Sequence, residues 1–197
     1  MSVAVEHDKR KREILERALD VFQDEGYADT TFQKIADRCG ITRTILYLYF
    51  KNKREVFTFS IKRFTEKLEE SIRVIALDES LPSYEKLYRI ESLVLDGCVE
   101  QARLLSVISD YLSHIKRSGG DAYERVRRRT IRMRHIIAGI VIAGQKRGEL
   151  ARMPVKPVTD LLYSIIEGTI FRVTLLDRAD VSDTRDAARL FIERMKA

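Results

Sequence analysis

Apolar residues recur three and four positions apart through most of this 197-residue chain, the spacing that gives a helix one buried face. The first stripe, Ile14, Leu15, Ala18, Leu19 and Phe22, predicts a helix from about Glu6 to Glu25, stopped by Gly26. Two short helices follow. Thr31 is placed to cap the first, Ile35 and Ala36 face inward, and Cys39-Gly40 ends it. Ile41 packs inward, and Thr42 caps the second, Arg43 to Tyr49. Asn52 then opens a long helix through Leu77, carrying Val56, Phe57, Ile61, Phe64, Leu68 and Ile72. At about 25 residues it is some 37 Å long.

Asp78 to Pro82 is the first clear break. The helical pattern resumes from Ser83 to about Lys116, with Gly97 as a point of division, and Ser118-Gly119-Gly120 reads as a loop. Asp121 is expected to cap a helix reaching Arg147. Met153 to Pro157 reads as a second loop, because Pro154 and Pro157 cannot continue a helix. Asp160 to Leu176 and a final segment capped by Ser182 complete about nine helices. The fold class is therefore all-α. Two helices joined by a short glycine turn over 31–49 form a helix-turn-helix, whose second helix enters the DNA major groove.

Many positions here stand in register with a known pattern: the stripe of the first helix, Gly26-Tyr27, Ile35-Ala36, Gly40-Ile41, Leu46-Tyr47, Tyr49-Phe50 and Lys53. Together they resemble the DNA-binding domain of the TetR family of transcriptional regulators. The ending Gly148-Glu149-Leu150 is similar to that family as well. Thr44-Ile45 and Leu48 depart from residues common there, and they fall on the reading helix. The resemblance implies a DNA-binding domain at 1–55 and a helical effector-binding and dimerisation domain at 56–197, with the fourth helix crossing between them.

Candidate contacts to double-stranded DNA follow. Arg43 offers two parallel donors to a guanine edge, and Thr44 can meet a base edge or a thymine methyl. Leu48 projects with them, away from a side formed by Ile41, Ile45 and Leu46. The resemblance adds Tyr47, Tyr49 and Lys53 at base- or phosphate-contacting positions, and Gln33 and Thr31 from the preceding helix. Packing of the small domain is the competing role for Tyr47 and Tyr49.

Net charge is +6, but residues 1–53 hold ten Lys/Arg against nine Asp/Glu. The excess lies in 119–152, nine against three, mainly Arg125 to Arg134. Bulk charge therefore does not point to DNA; the local footprint is Lys9 to Arg12 with Lys51, Lys53 and Arg54. The arginine cluster is either two solvated helix flanks or a holder for an anionic ligand.

The segment from Asp160 to Leu176 is apolar nearly all round, and a stripe of Ala187, Ala188, Phe191 and Met195 follows it. Such helices need burial on every side. A homodimer buries them, with Leu162, Ile166, Gly168, Ala187, Phe191 and Met195 as interface residues, and the resemblance agrees. It also implies a small-molecule effector cavity among the middle helices, with Tyr88, Tyr111, His114, Met133, Tyr163 and Phe171 as wall residues. Glu167 sits inside an apolar helix, either as a polar handle in that cavity or in a buried ion pair with Arg172 of the partner subunit.

No metal spacing links His7, His114 and His135, and no phosphate loop or nucleophile motif occurs, so no metal, cofactor or enzymatic activity is expected. Cys39 and Cys98 read as buried thiols. No apolar run reaches membrane-span length and no secretory leader pattern opens the chain, so a cytoplasmic location is expected. The expected function is a dimeric one-component regulator, a repressor released from a pseudo-palindromic operator by an effector. The alternatives are a partner-controlled or architectural DNA-binding dimer and an enzyme.

Overall fold

The computed structural model describes the backbone over 3–116, 121–176 and 180–197, with side chains at 3–4, 114–116, 121–127 and 129–130 outside that description. Nine helices are present among the described residues: α1 Val3–Asp29, α2 Phe32–Cys39, α3 Arg43–Tyr47, α4 Lys53–Leu77, α5 Ser83–Glu100, α6 Ala102–Lys116, α7 Asp121–Arg147, α8 Val155–Leu175 and α9 Ser182–Arg194. The all-α expectation holds.

Several ends form as the sequence dictates. Thr31 accepts from the Lys34 amide, Thr42 from Ile45 and Asn52 from Glu55, each satisfying one free donor of a first turn. Gly40 adopts φ 65° and closes α2 by donating to the carbonyls of Ala36 and Asp37. Other ends differ. Gly26 breaks the α1 backbone at φ 76°, ψ 169°, yet a further turn follows to Asp29. Gly97 lies inside α5, and the division falls at Gln101 (φ −111°, ψ 24°). Pro157 is helical, because the first turn of α8 has free amides in any case and a proline there loses no hydrogen bond. Ser182 is the first residue of α9, and the Asp180 carboxylate accepts from its amide.

Two hydrophobic clusters organise the chain. The first joins Ile14, Ala18 and Phe22 of α1 to Ile35 and Ala36 of α2, Leu46 of α3, Phe50, and Val56 and Phe57 of α4. Val107 and Tyr111 of α6 belong to it too. The Tyr111 ring stands 4.5 Å from Tyr27 and 4.8 Å from Phe57, with Phe57 4.7 Å from Phe22. Stacks of this kind add about 0.5–1.5 kcal/mol per pair beyond area burial. Tyr111, expected on an effector cavity wall, is thus part of the first cluster.

The second cluster gathers Ile72 of α4, Leu87, Ile90, Val94 and Cys98 of α5, Ile137 and Val141 of α7, and Val158, Leu162, Tyr163 and Ile166 of α8. Ile192 and Met195 close it from the C-terminal end. Helix α4 therefore inserts its first turns in one core and its last in the other. Cys39 and Cys98 are both buried free thiols, and burial pushes Cys98 up to about 11.

A tight joint locks the C-terminal half. The Glu149 carboxylate accepts from the Ser83 amide at 2.7 Å, supplying the α5 cap that Pro82 cannot. Arg147 holds that carboxylate at 2.8 Å and lowers its pKa to about 2. Leu150 pairs with Lys196 in an isolated bridge, and the Ala151 amide donates to Met195 at 2.8 Å. Gly144 permits the approach: a Cβ there would lie 2.6 Å from Ser83 Cβ and 2.7 Å from Leu150 Cδ1.

Candidate nucleic-acid interface

Helix α3 is held by one fully buried anchor, Leu46, with Phe50 buried just beyond its end. Everything else on this single turn faces outward: Arg43, Thr44, Ile45, Tyr47 and Leu48 are exposed, Leu48 by 74%. Ile45 was expected inward with Leu46. On a helix consecutive residues lie 100° apart, and a single turn with one buried anchor turns its neighbour to solvent. The outward face thus combines a guanidinium, a hydroxyl, a phenol and two aliphatic groups, the set able to read guanine edges and thymine methyls.

Arg43 is pre-positioned. Its guanidinium donates to the Tyr47 hydroxyl at 3.0 Å and lies 5.5 Å from the ring centroid, while Tyr47 packs on Phe32 at 4.7 Å. Tyr49 stacks on His7 at 4.6 Å, which brings the first turns of α1 beside the end of α3. Lys11 lies over the Phe50 and Phe59 rings at 5.3 and 5.1 Å, so the basic run of α1 borders the same edge. Exposed Lys9, Arg12, Lys51 and Arg54 complete the local positive rim.

Three predicted contacts have structural duties as well. Thr31 is the α2 cap. The Gln33 amide donates to Asp37 at 2.7 Å along the exposed side of α2. The Lys53 ammonium donates to the carbonyls of Tyr27 at 2.7 Å and Ala28 at 3.0 Å, closing the end of α1, and burial lowers its pKa.

In the C-terminal half, Tyr88, Met133 and Tyr163 all join the second cluster. Tyr163 lies under the Arg134 guanidinium at 4.5 Å, and Arg134 pairs with Asp160 at 2.7 Å. His114 and the Arg125, Arg127 and Arg129 side chains lie outside the described residues. Arg128 is exposed, and Arg132 pairs with Glu69 at 3.0 Å, the solvated-flank role.

Several predicted positions are corrected. Phe171, expected on a cavity wall, is 54% exposed on the outer side of α8. Glu167 is exposed and sits 3.8 Å from Arg134, while Arg172 donates to Thr184 of its own chain. Leu162, Ile166 and Met195 are buried within the chain, so they cannot form an outer face, and Phe191 packs partly against the same core. Gly168 and Ala187 do lie outside. The outward apolar stripe of α8 is Leu161, Phe171 and Leu175, aligned through Ser164 and Gly168 at three-four spacing, with Leu190 beside Ala187 on α9.

The buried carboxylate that the sequence suggested exists at another position. Glu91 of α5 is 2% exposed, and neither of its oxygens has a hydrogen-bond partner among the described residues. Burial alone raises its pKa to about 8. Sequence spacing held the signal: Glu91 lies four residues after Leu87 and three before Val94, inside the apolar stripe. A shallow depression of about 440 Å³ lies elsewhere, lined by Ile142, Gln145, Lys146, Arg152 and Val155. Among the described residues, no group of three or more His, Cys, Asp or Glu could hold a metal ion, and no helix is long and apolar enough to cross a membrane.

Residues 14–58 match the family model described as bacterial regulatory proteins, tetR family. Over 97% of its length the chain is 29% identical to the HTH-type transcriptional regulator YfiR of Bacillus subtilis, covering 94% of that protein. A TetR transcription regulator from Haloarcula marismortui superposes with a TM-score of 0.85 at 20% identity, over 96% of this chain and 100% of that one. The regulator FadR from Bacillus subtilis, solved in complex with stearoyl-CoA, gives a TM-score of 0.67 at 22% identity, over 92% of this chain and 96% of that one.

Proposed function

We propose, for a chain that belongs to the TetR family of transcriptional regulators, that it is a homodimeric repressor released from its operator by a small molecule. DNA-binding regulation, and not catalysis, is its function. The observation that carries the proposal is the exposed face of α3, Arg43 to Leu48 on its Leu46 anchor, in the segment that matches the family.

Residues 1–55 act as the DNA-binding head and 56–197 as the effector-binding and dimerisation body, in the cytoplasm. Arg43, Thr44, Ile45 and Leu48 meet base edges, and Tyr47, Tyr49 and the rim lysines meet bases or phosphates. The exposed stripe of Leu161, Phe171 and Leu175 with Leu190 supports a C2 contact between two copies, since apolar faces of this kind mark association surfaces. Two reading helices would then enter successive major grooves about 34–36 Å apart. The stearoyl-CoA bound to the Bacillus subtilis neighbour supports a ligand among the body helices here. Ligand binding shifts α4, which is seated in both cores, and with it the spacing of the heads; such couplings are typically about 1–3 kcal/mol.

Selection of bound sequences from a random DNA pool tests this. A two-fold symmetric site with half-sites about one helical turn apart is expected. Recovery of no symmetric sequence would overturn the reading.

A further inference from the structure

Glu91 has no structural return for its burial. Its two oxygens are acceptors without donors among the described residues, at 2% exposure, on the stripe of α5 that carries Leu87, Val94 and Cys98. No neighbouring cation contributes to its proton affinity; burial is the whole cause of its shift. Two guanidinium groups on elements packed against α5 have carboxylate partners other than Glu91: Arg134 of α7 pairs with Asp160, and Arg185 of α9 with Asp96. A leucine or glutamine would serve the fold better, because a buried carboxyl must either stay protonated or remain an unpaired charge.

We infer that Glu91 anchors the effector, and that the effector is an apolar molecule ending in a protonated nitrogen. The inference rests on the effector-responsive reading above and names the ligand's chemistry. The carboxyl lacks donors, and an ammonium brings both donors and the opposite charge. The low dielectric that disfavours an isolated carboxylate strengthens such a pair. Leu87, Val94 and Cys98 of the same stripe, with Ile137 across from α7, supply apolar contact for the remainder of the molecule. An anionic head group would oppose ionisation of Glu91 and bring no opposite charge to it, so it gains nothing comparable at this point.

The test uses full-length protein and phenylalkylamines of increasing chain length, each matched to the carboxylic acid and the alcohol of the same skeleton. Calorimetric titration is expected to show saturable binding of an amine, tighter than its acid and alcohol. Glu91→Gln, checked for folding by circular dichroism, should weaken the amine about ten- to a hundred-fold and leave the alcohol unchanged. Glu91→Asp keeps the charge and should keep the preference for amine over alcohol. An acid or alcohol binding as tightly as the amine, equal amine binding by Glu91→Gln, or no saturable amine binding by the wild type overturns the inference. Release of selected operator DNA is measured in parallel. Operator binding without amine recognition sinks this inference alone, whereas Glu91-dependent amine binding without release sinks the effector reading and leaves Glu91 only as an amine-binding group.

Discussion

Replacing Glu91 with glutamine keeps the shape of the side chain and removes its ability to ionise. Burial lifts the carboxyl from its usual 4.5 to about 8 in the folded protein. Between those values the native state holds a proton that the unfolded chain has lost, so stability falls by about 1.4 kcal/mol per pH unit. The contribution of Glu91 is fully present below pH 4.5 and is lost as pH rises through about 8. The loss is about 3 kcal/mol at pH 7 and approaches about 5 kcal/mol above pH 8. Glutamine escapes it, apart from a pH-independent offset for its own unpaired amide. Urea unfolding of both proteins, at equal protomer concentration and from about pH 5 to about pH 8.5, isolates the effect. Surface carboxylates and the Glu149 joint are common to both and cancel in the difference. The stability gap should widen steadily in favour of Glu91→Gln, with a melting-temperature gap growing by about 2–4 °C for each kcal/mol. A gap that stays constant across the range would refute the reasoning, because it would mean that Glu91 is already ionised and partnered when folded.

Other outcomes follow from named contacts. Arg43→Ala should weaken operator binding by about 1–3 kcal/mol and relax the preference at one base pair, read by gel shift on single-base operator variants. Lys53→Met, which removes the donors to Tyr27 and Ala28, should lower stability by about 1–3 kcal/mol; an unchanged melt with a reduced salt slope would assign it to phosphate instead. Leu161→Glu with Leu175→Glu should leave helicity intact and yield monomers in sedimentation, and a persisting dimer would remove that face from the interface. Gly144→Ala should destabilise by about 1–3 kcal/mol through overlap with Ser83 and Leu150, while Gly97→Ala, which faces open space in a helix, should stabilise by about 0.5–1 kcal/mol; equal thermal shifts would contradict the close approach.

The helix pattern was legible because it rests on local chemistry. The caps at Thr31, Thr42 and Asn52 and the left-handed turn at Gly40 depend on neighbours a few residues away. Which side of a helix meets which partner is not local. Residues 160–176 read as apolar all round, so the chain could not declare that Leu162 and Ile166 face inward while Leu161 and Leu175 face out. Glu167 and Glu91 make the same point. Each interrupts an apolar run, and only the packing of neighbouring helices exposes the first and buries the second. Tyr111 gave no hint that its contacts lie 84 and 54 positions back, at Tyr27 and Phe57.

That last contact has a bearing on how the molecule can be taken apart. The proposed head, residues 1–55, is unfinished on its own, since the ring that covers Tyr27 and part of its last wall, Phe57, are supplied from beyond it. Cut at the obvious sequence boundary, the fragment would expose an aromatic socket and favour aggregation over folding. Any transplant of this head onto another body must bring along a donor for that socket, or choose a body whose sixth helix already carries one.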